Sequence, residues 1–432
     1  MRAAQTAQKK GLTVALIESK QIGGVCLNIG CIPTKSLLYS TSILAIAKQA
    51  GHHGVSVTQA DGSLDVLQNR QRSVVGTIRD SVERSLRESG IEIIKGAARF
   101  LSGNEIDAGH EKVCAKDVII ATGSSARRLE GFATDAHILY PDDIFNLSHV
   151  PDSLLIVGAG AIGCEFAGFF NAMGSRVTVL EIQETILPLL DLDLTKRLAI
   201  SFRKKGIGIV TGAALEHIER EGEHIRVLYS TGSGDVFSDI LVSAGRQPNT
   251  DLLHLEKAGV KIRDGGWVDV DSQYRTSADH IWAIGDCIGR RLVAHAAERE
   301  GEIVVGILCG EPESLDYSLI PEVVYTSPEV AAVGMKESGI DDIGTYGALK
   351  GRFGSVAKAH ILNEVDGIFK IIYQKDSGTI VGAHMYGYGV SELISFFSLA
   401  IHKETTLKEL KKIVFPHPTL SEAIHQAVGD IS

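Results

Sequence analysis

Cys26 and Cys31 stand five residues apart in GGVCLNIGCIPTK, two thiols close enough to act together. In a chain with no export signal, such a pair points to redox or metal chemistry rather than to a structural staple. Zinc would want two more thiolates or histidines at metal spacing, and none is nearby. Redox chemistry is the preferred reading, and no metal ligand is assigned. The other four cysteines, Cys114, Cys164, Cys287 and Cys309, lie singly in apolar or Gly-rich contexts. Each is expected to be a small buried hydrophobe.

A second chemistry lies in residues 153–181, SLLIVGAGAIGCEFAGFFNAMGSRVTVLE. The apolar run 154–157 reads as a buried strand, and Gly158, Gly160 and Gly163 form G-x-G-x-x-G. A helix follows to about Met173, and a second strand over Arg176–Leu180 ends at Glu181. The glycines permit a tight turn, close approach to a pyrophosphate and helix–strand packing. The phosphate would meet the N–H groups of the helix N-terminus. Glu181 can accept hydrogen bonds from a ribose 2′-OH and would repel a 2′-phosphate. Ile182 and Gln183 offer no cation to hold one, so NAD is favoured over NADP.

Residues 2–18, RAAQTAQKKGLTVALIE, repeat the second part of that unit, with Gly11 and Glu18 spaced like Gly174 and Glu181. In this register the equivalents of Gly158, Gly160 and Gly163 fall at −5, −3 and 0. The sequence as given therefore lacks the first strand and phosphate loop of an N-terminal dinucleotide site.

The whole chain must supply the elements that hold these groups. It has 432 residues, about three domains' worth, enough to bury a core without disulfides or metal. Apolar residues make up 44% and charged residues 22%, the balance of a globular protein. Its formal charge of −10 argues against a general nucleic-acid binder, which must neutralise phosphates. No apolar run of membrane-spanning length is expected, nor is a secretory signal. A soluble, cytoplasmic, multidomain enzyme is the expectation.

GGVCLNIGCIPTKSLL resembles the redox-active segment of the dihydrolipoamide dehydrogenase family, class I pyridine nucleotide-disulfide oxidoreductases. IIATGSSAR, GAGAIGCEFA, SAGRQPNT, WAIGDC, LVAH, YTSPEVAAVG and FPHPTLSE match in the family's order, so the resemblance covers essentially the whole chain. It implies an α/β fold with two Rossmann-like dinucleotide-binding domains and a C-terminal α+β dimerisation domain. The first part of the FAD domain would span 1–148, the NAD domain 149–268, the FAD return segment 269–315 and the dimerisation domain 316–432. A homodimer follows, partnered by a lipoyl-bearing acyltransferase of a 2-oxoacid dehydrogenase complex or by a glycine cleavage lipoyl protein.

The resemblance also implies roles. Cys26 would be the thiol that exchanges with substrate, Cys31 the thiol beside the flavin, and the two would form the redox disulfide. His417 would be the base that deprotonates substrate dithiol and Cys26, with Glu422 orienting its other ring nitrogen. Pro418 should be cis, aiming the imidazole across a dimer interface. Lys35 would lie beside the flavin ring with Glu165 as its partner, and Glu18 would take the adenosine ribose of FAD. Gly96, Thr122, Gly123 and Ser124 match backbone contacts to FAD, and Asp286 matches the ribityl acid. Leu292, Val293, Ala294 and His295 lie where the family meets the isoalloxazine. Gly245 matches an NAD contact, Leu215 is a second candidate, and Ala161 occupies the gate beside the nicotinamide.

The implied activity is oxidation of protein-bound dihydrolipoamide with NAD+ as final acceptor, through FAD. Two alternatives stand beside it. One is a glutathione- or mercuric-reductase-like member; Glu181 opposes the NADP preference of the first, and the missing C-terminal cysteine pair opposes the second. The other is a catalytically impaired protein that keeps NAD binding or dimerisation.

Overall fold

The computed structural model of the chain describes residues 1–128, 137–340 and 344–430. Ile431 and Ser432, which close the expected fourth segment, lie outside the described residues. The chain divides into two compact units. The first comprises Met1–Ser36, Gln68–Arg127 and Gly245–Tyr317; the second comprises Leu37–Leu67, Arg128–Ala244 and Ser318–Ser432.

The second unit holds a five-stranded sheet in the order Gly208–Val210, Arg176–Leu180, Ser153–Val157, Asp239–Val242, Ile138–Leu139. Every neighbouring pair in it is parallel. Ser153–Val157 is buried along its whole length, as a continuous apolar run must be in a strand covered on both faces. The helix Ala161–Ala172 follows at once and stops where Gly174 takes φ +104°, a left-handed conformation that glycine adopts without a Cβ penalty.

The same unit carries a five-stranded antiparallel sheet, ordered Glu322–Val324, Glu329–Gly334, Ile380–Gly387, Ile368–Gln374, Tyr346–Arg352. The helices Val390–His402 and Glu422–Gly429 pack on its apolar residues, with Phe369, Met385, Ile394, Phe397 and Ile424 in one core. Lys370 is buried in this sheet. Its Nζ lies 2.7 Å from Asp191 Oδ1 and 2.7 Å from Asp193 Oδ2, and it also bonds Glu337. Asp191 caps the helix Leu192–Lys204 by accepting from the Asp193 N–H, so one ammonium ties that helix to the sheet.

The first unit repeats the nucleotide-binding pattern further than the sequence revealed. The helix Arg2–Lys9 ends at Gly11, φ +82°, and leads into the strand Ala15–Glu18. That strand pairs in parallel with Glu92–Lys95, as Arg176–Leu180 pairs with Gly208–Val210. A three-stranded antiparallel meander follows in each half, over 99–114 and over 215–237. Each meander leads to a short strand, Val118–Ile120 or Asp239–Val242, and then to a left-handed glycine, Gly123 or Gly245.

Two expectations need correction. Cys164 and Cys287 are buried, but Cys114 is exposed and Cys309 half-buried, because Cys114 ends an edge strand and Cys309 caps a helix C-terminus. The helical stretch Gly24–Lys48 reaches membrane-spanning length with a mean hydropathy of 1.3. Its Ile, Leu and Ala residues outweigh the interspersed Ser, Thr and single Lys35 when averaged over 18 residues.

Candidate active site

The redox segment is folded as two helices broken by a glycine. Gly24–Ile29 carries Cys26, Gly30 breaks the helix, and Cys31 opens the helix Cys31–Lys48. A side chain at Gly30 would come within 2.8 Å of the Val25 carbonyl oxygen, so the break brings backbone against backbone. Cys31 stands at a helix N-terminus, where unpaired N–H groups favour negative charge. Both cysteines are thiols, hydrogen-bonded to each other. That bond to Cys31, together with burial, pushes the Cys26 thiol up, while Lys35 one turn into the helix pulls it down.

At the other end of the chain, His417 Nδ1 lies 2.8 Å from Glu422 Oε1. Glu422 Oε2 accepts the Thr419 N–H at 2.7 Å, so the carboxylate is fixed before it meets the ring. These bonds, the Thr419 one first, hold the Glu422 carboxyl below its usual range. Glu422 is also the first residue of the helix Glu422–Gly429. The imidazole is 74% exposed, and the His417–Pro418 bond is cis, as expected. A carboxylate on one nitrogen and exposure of the ring make an oriented base.

The glycines of residues 158–163 divide their work. Gly158 takes φ +102°, and a Cβ there would sit 2.6 Å from the Ser243 carbonyl oxygen. A Cβ at Gly163 would lie 2.0 Å from Gly158 O. Among the described residues nothing lies within 4 Å of a Cβ at Gly160, so open space faces the loop there. Glu181 does more than wait for a ribose: Oε2 accepts the Ala159 N–H at 2.7 Å and Oε1 the Gln183 N–H at 2.9 Å. Glu18 repeats the second bond, accepting the Lys20 N–H at 2.8 Å. Ala161 begins the helix after this loop, and Leu215 begins the meander strand after it, at a register shift.

The remaining candidates in the first unit cluster around two turns. A Cβ at Gly96 would strike the Ala108 carbonyl oxygen at 1.7 Å, so glycine is needed there for backbone packing alone. The turn at Thr122–Gly123 is held by Asn249, whose Nδ2 donates to Thr122 O at 3.0 Å and whose N–H donates to Gly123 O at 3.0 Å. Ser124 donates its hydroxyl to Asp286 Oδ2 at 2.5 Å, and Arg246 Nε donates to Ser124 Oγ at 2.6 Å. Leu292 and Val293 lead into the helix Ala294–Leu308, whose first two residues are Ala294 and His295. In the second unit Glu165 is buried in the helix Ala161–Ala172, and its Oε1 accepts the Tyr325 N–H at 3.0 Å.

Residues 1–301 match the family model for pyridine nucleotide-disulphide oxidoreductases, and residues 320–428 match that family's dimerisation domain. The chain belongs to the pyridine nucleotide-disulphide oxidoreductase family. Among curated members, dihydrolipoyl dehydrogenase of Zymomonas mobilis is 37% identical, covering 99% of this chain and 94% of its own. The enzyme of that name from Geobacillus stearothermophilus is 34% identical over 99% and 92%. In structure, LpdA of Mycobacterium tuberculosis matches with a TM-score of 0.93 at 28% identity, over 99% of this chain and 96% of that one. The HOCl-induced flavoprotein disulfide reductase RclA of Escherichia coli matches at 0.89 and 27%, over 100% and 97%. The fold is that of an FAD- and NAD-binding disulfide oxidoreductase, and the matched dimerisation domain supports a homodimer.

FAD and NAD are this family's cofactors, and the residues present fit NAD and the ribose and ribityl ends of FAD. For NAD, open space at Gly160 adjoins a helix N-terminus and an anchored carboxylate. For FAD, Glu18 ends its strand as the counterpart of Glu181, and Asp286 is held by Ser124. Sequence reasoning missed the supporting residues Ser243, Arg246 and Asn249. All three were within reach, because they lie in SAGRQPNT, the segment already singled out.

Proposed function

We propose that this protein is a dihydrolipoyl dehydrogenase, oxidising protein-bound dihydrolipoamide to lipoamide with NAD+ as the final hydride acceptor. The observation that carries the reading is the His417–Glu422 pair: a carboxylate-oriented, exposed imidazole in a chain that also holds a Cys26–Cys31 redox pair. In the oxidised enzyme Cys26 and Cys31 form a disulfide. His417 takes a proton from the substrate dithiol, the substrate thiolate attacks Cys26 and breaks the Cys26–Cys31 bond, releasing Cys31 as a thiolate, and the second substrate thiol closes the lipoamide disulfide by displacing Cys26, which takes up its proton. Cys26 and Cys31 are left reduced, so atoms and electrons balance. FAD, when bound, supplies the two-electron link from this dithiol to NAD+.

Around that link the chain's own residues bind and orient. Glu18, Gly96, Thr122, Gly123, Ser124, Asp286 and the segment Leu292–His295 hold FAD, and Lys35 lies beside its ring with Glu165 as partner. Gly158, Gly160, Gly163, Glu181 and Gly245 hold NAD. The limits 1–148, 149–268, 269–315 and 316–432 are our domain assignment. The base of one subunit serves the disulfide of the other, the lipoyl group arrives on an acyltransferase or a glycine cleavage lipoyl protein, and the enzyme works in the cytoplasm. Anaerobic assay with dihydrolipoamide and NAD+ tests the reading. NADH formation that disappears in Cys26→Ser supports it; flavin reduction by NADH with no turnover of dihydrolipoamide, but turnover of another disulfide, refutes it.

A further inference from the structure

The helix Ala294–Leu308 carries a carboxylate with no solvent exposure: Glu300 is 0% exposed. Acids are almost never fully buried unless paired, and neither the redox pair nor the NAD loop accounts for this one. Glu300 Oε2 accepts the Gly285 N–H at 2.6 Å, and Oε1 accepts the Tyr317 hydroxyl at 2.6 Å. The Tyr317 and Tyr274 hydroxyls lie 3.1 Å apart. The Arg290 guanidinium sits over both rings, 5.3 Å from the centre of Tyr274 and 5.6 Å from that of Tyr317. Burial pushes the Glu300 carboxyl up, and its bonds to Tyr317 and Gly285 pull it back.

Gly285 belongs to the turn that presents Asp286. It takes φ +72°, and a Cβ there would lie 3.2 Å from the Cβ of Ala297. The turn is therefore pressed against the helix at Ala297 and hydrogen-bonded to it one turn later at Glu300. The same helix begins at Ala294, directly after Leu292 and Val293. One carboxylate thus fixes the Asp286 turn against the segment Leu292–His295, the two stretches assigned above to the ribityl chain and to the ring of the flavin.

We propose that Glu300 is a positioning residue for FAD, holding the Gly285–Asp286 turn and the Leu292–His295 segment in the register that binds the flavin. The proposal rests on the flavin reading given above. Holoprotein of the wild type, Glu300→Leu, Glu300→Gln, Tyr317→Phe and Val305→Ala tests it. Three readouts are compared: FAD dissociation followed by recovery of flavin fluorescence, the visible flavin spectrum, and the melting temperature.

Glu300→Leu leaves the Gly285 N–H without an acceptor and should weaken FAD binding about tenfold or more, with a shifted flavin spectrum. Glu300→Gln keeps an acceptor oxygen and should stay within about threefold. Val305→Ala removes buried volume from the same helix and should lower the melting temperature while changing FAD affinity by less than about twofold. Wild-type affinity and spectrum in Glu300→Leu would overturn the proposal. So would a loss of affinity in Val305→Ala that matches Glu300→Leu at equal loss of melting temperature. Should Glu300→Leu not fold, Tyr317→Phe decides, since an unchanged affinity and spectrum there count against the idea. A wild-type protein that binds no FAD sinks the flavin reading and this proposal with it, whereas an unaffected Glu300→Leu sinks the proposal alone.

Discussion

Gly160→Ala and Gly163→Ala separate binding from folding in the NAD loop. A methyl at Gly163 has backbone oxygen at 2.0 Å and the Ser243 hydroxyl at 2.8 Å, and neither is the far end of a flexible side chain. The helix start must move, which costs about 1–3 kcal/mol and lowers the melting temperature by about 2–12 °C for a unit of this size. Gly160 differs in both respects. Its φ of −72° suits any residue, and among the described residues nothing lies within 4 Å of the added methyl. Gly160→Ala should therefore melt within about 2 °C of wild type, because away from packed features a substitution changes stability by only a few tenths of a kcal/mol. The space it fills is the approach of the dinucleotide pyrophosphate, so NADH affinity should drop about tenfold, equivalent to about 1.4 kcal/mol. Calorimetry and NADH titration on the same preparations give both numbers. Wild-type NADH affinity in Gly160→Ala, or an unshifted melting temperature in Gly163→Ala, would refute the assignment of these two glycines.

His417→Gln should lower dihydrolipoamide turnover about 10²–10⁴-fold, the worth of a general base, while NADH still reduces the flavin. Mixing Cys26→Ser with His417→Gln chains should restore part of the activity if the base acts across subunits; proven exchange without recovery counts against that. NADH should reduce the flavin much better than NADPH, and equal rates would remove the argument from Glu181. Lys370→Met leaves the buried Asp191 carboxylate uncompensated and should cost about 3–5 kcal/mol in denaturant unfolding. Bonds to Lys370 hold Asp193 and Glu337 below the usual carboxylate range. Their contribution is therefore present above about pH 4 and fades as pH falls through the lowered values. Glu337→Gln should flatten the acid side of the melting-temperature profile, and an unchanged slope would show that the pair is not linked to acid unfolding.

What was legible in the sequence was what repeats or punctuates. The strand at 154–157, the helix after Gly163 and the strand Arg176–Leu180 follow from apolar runs set off by glycines, and all three are present. The matching order of Gly11, the next strand and Glu18 was visible for the same reason. The meander over 99–114 was not, since its strands run only two or three residues, and that over 215–237 was passed over although His224–Tyr229 alternates exposed and buried. The glycines were legible as glycines but not by motive: Gly96 is required by the Ala108 carbonyl, whatever else it meets. Glu300 gave no signal, because an acid in the run HAAEREGE reads as solvated helix. Its burial depends on Tyr317 and Gly285, whose proximity only the fold creates.

The buried ammonium of Lys370 sets a limit on dissection. Homology divides the second unit into a nucleotide-binding piece and a dimerising piece, and cloning each separately is an obvious economy. Severing the chain between them would strand a lysine inside one fragment and Asp191, with the helix it caps, inside the other. Each fragment would then have to hydrate or neutralise a charge that the intact chain satisfies internally. The two halves share one ionic keystone. Evolution could exchange such modules only by exchanging both sides of it together.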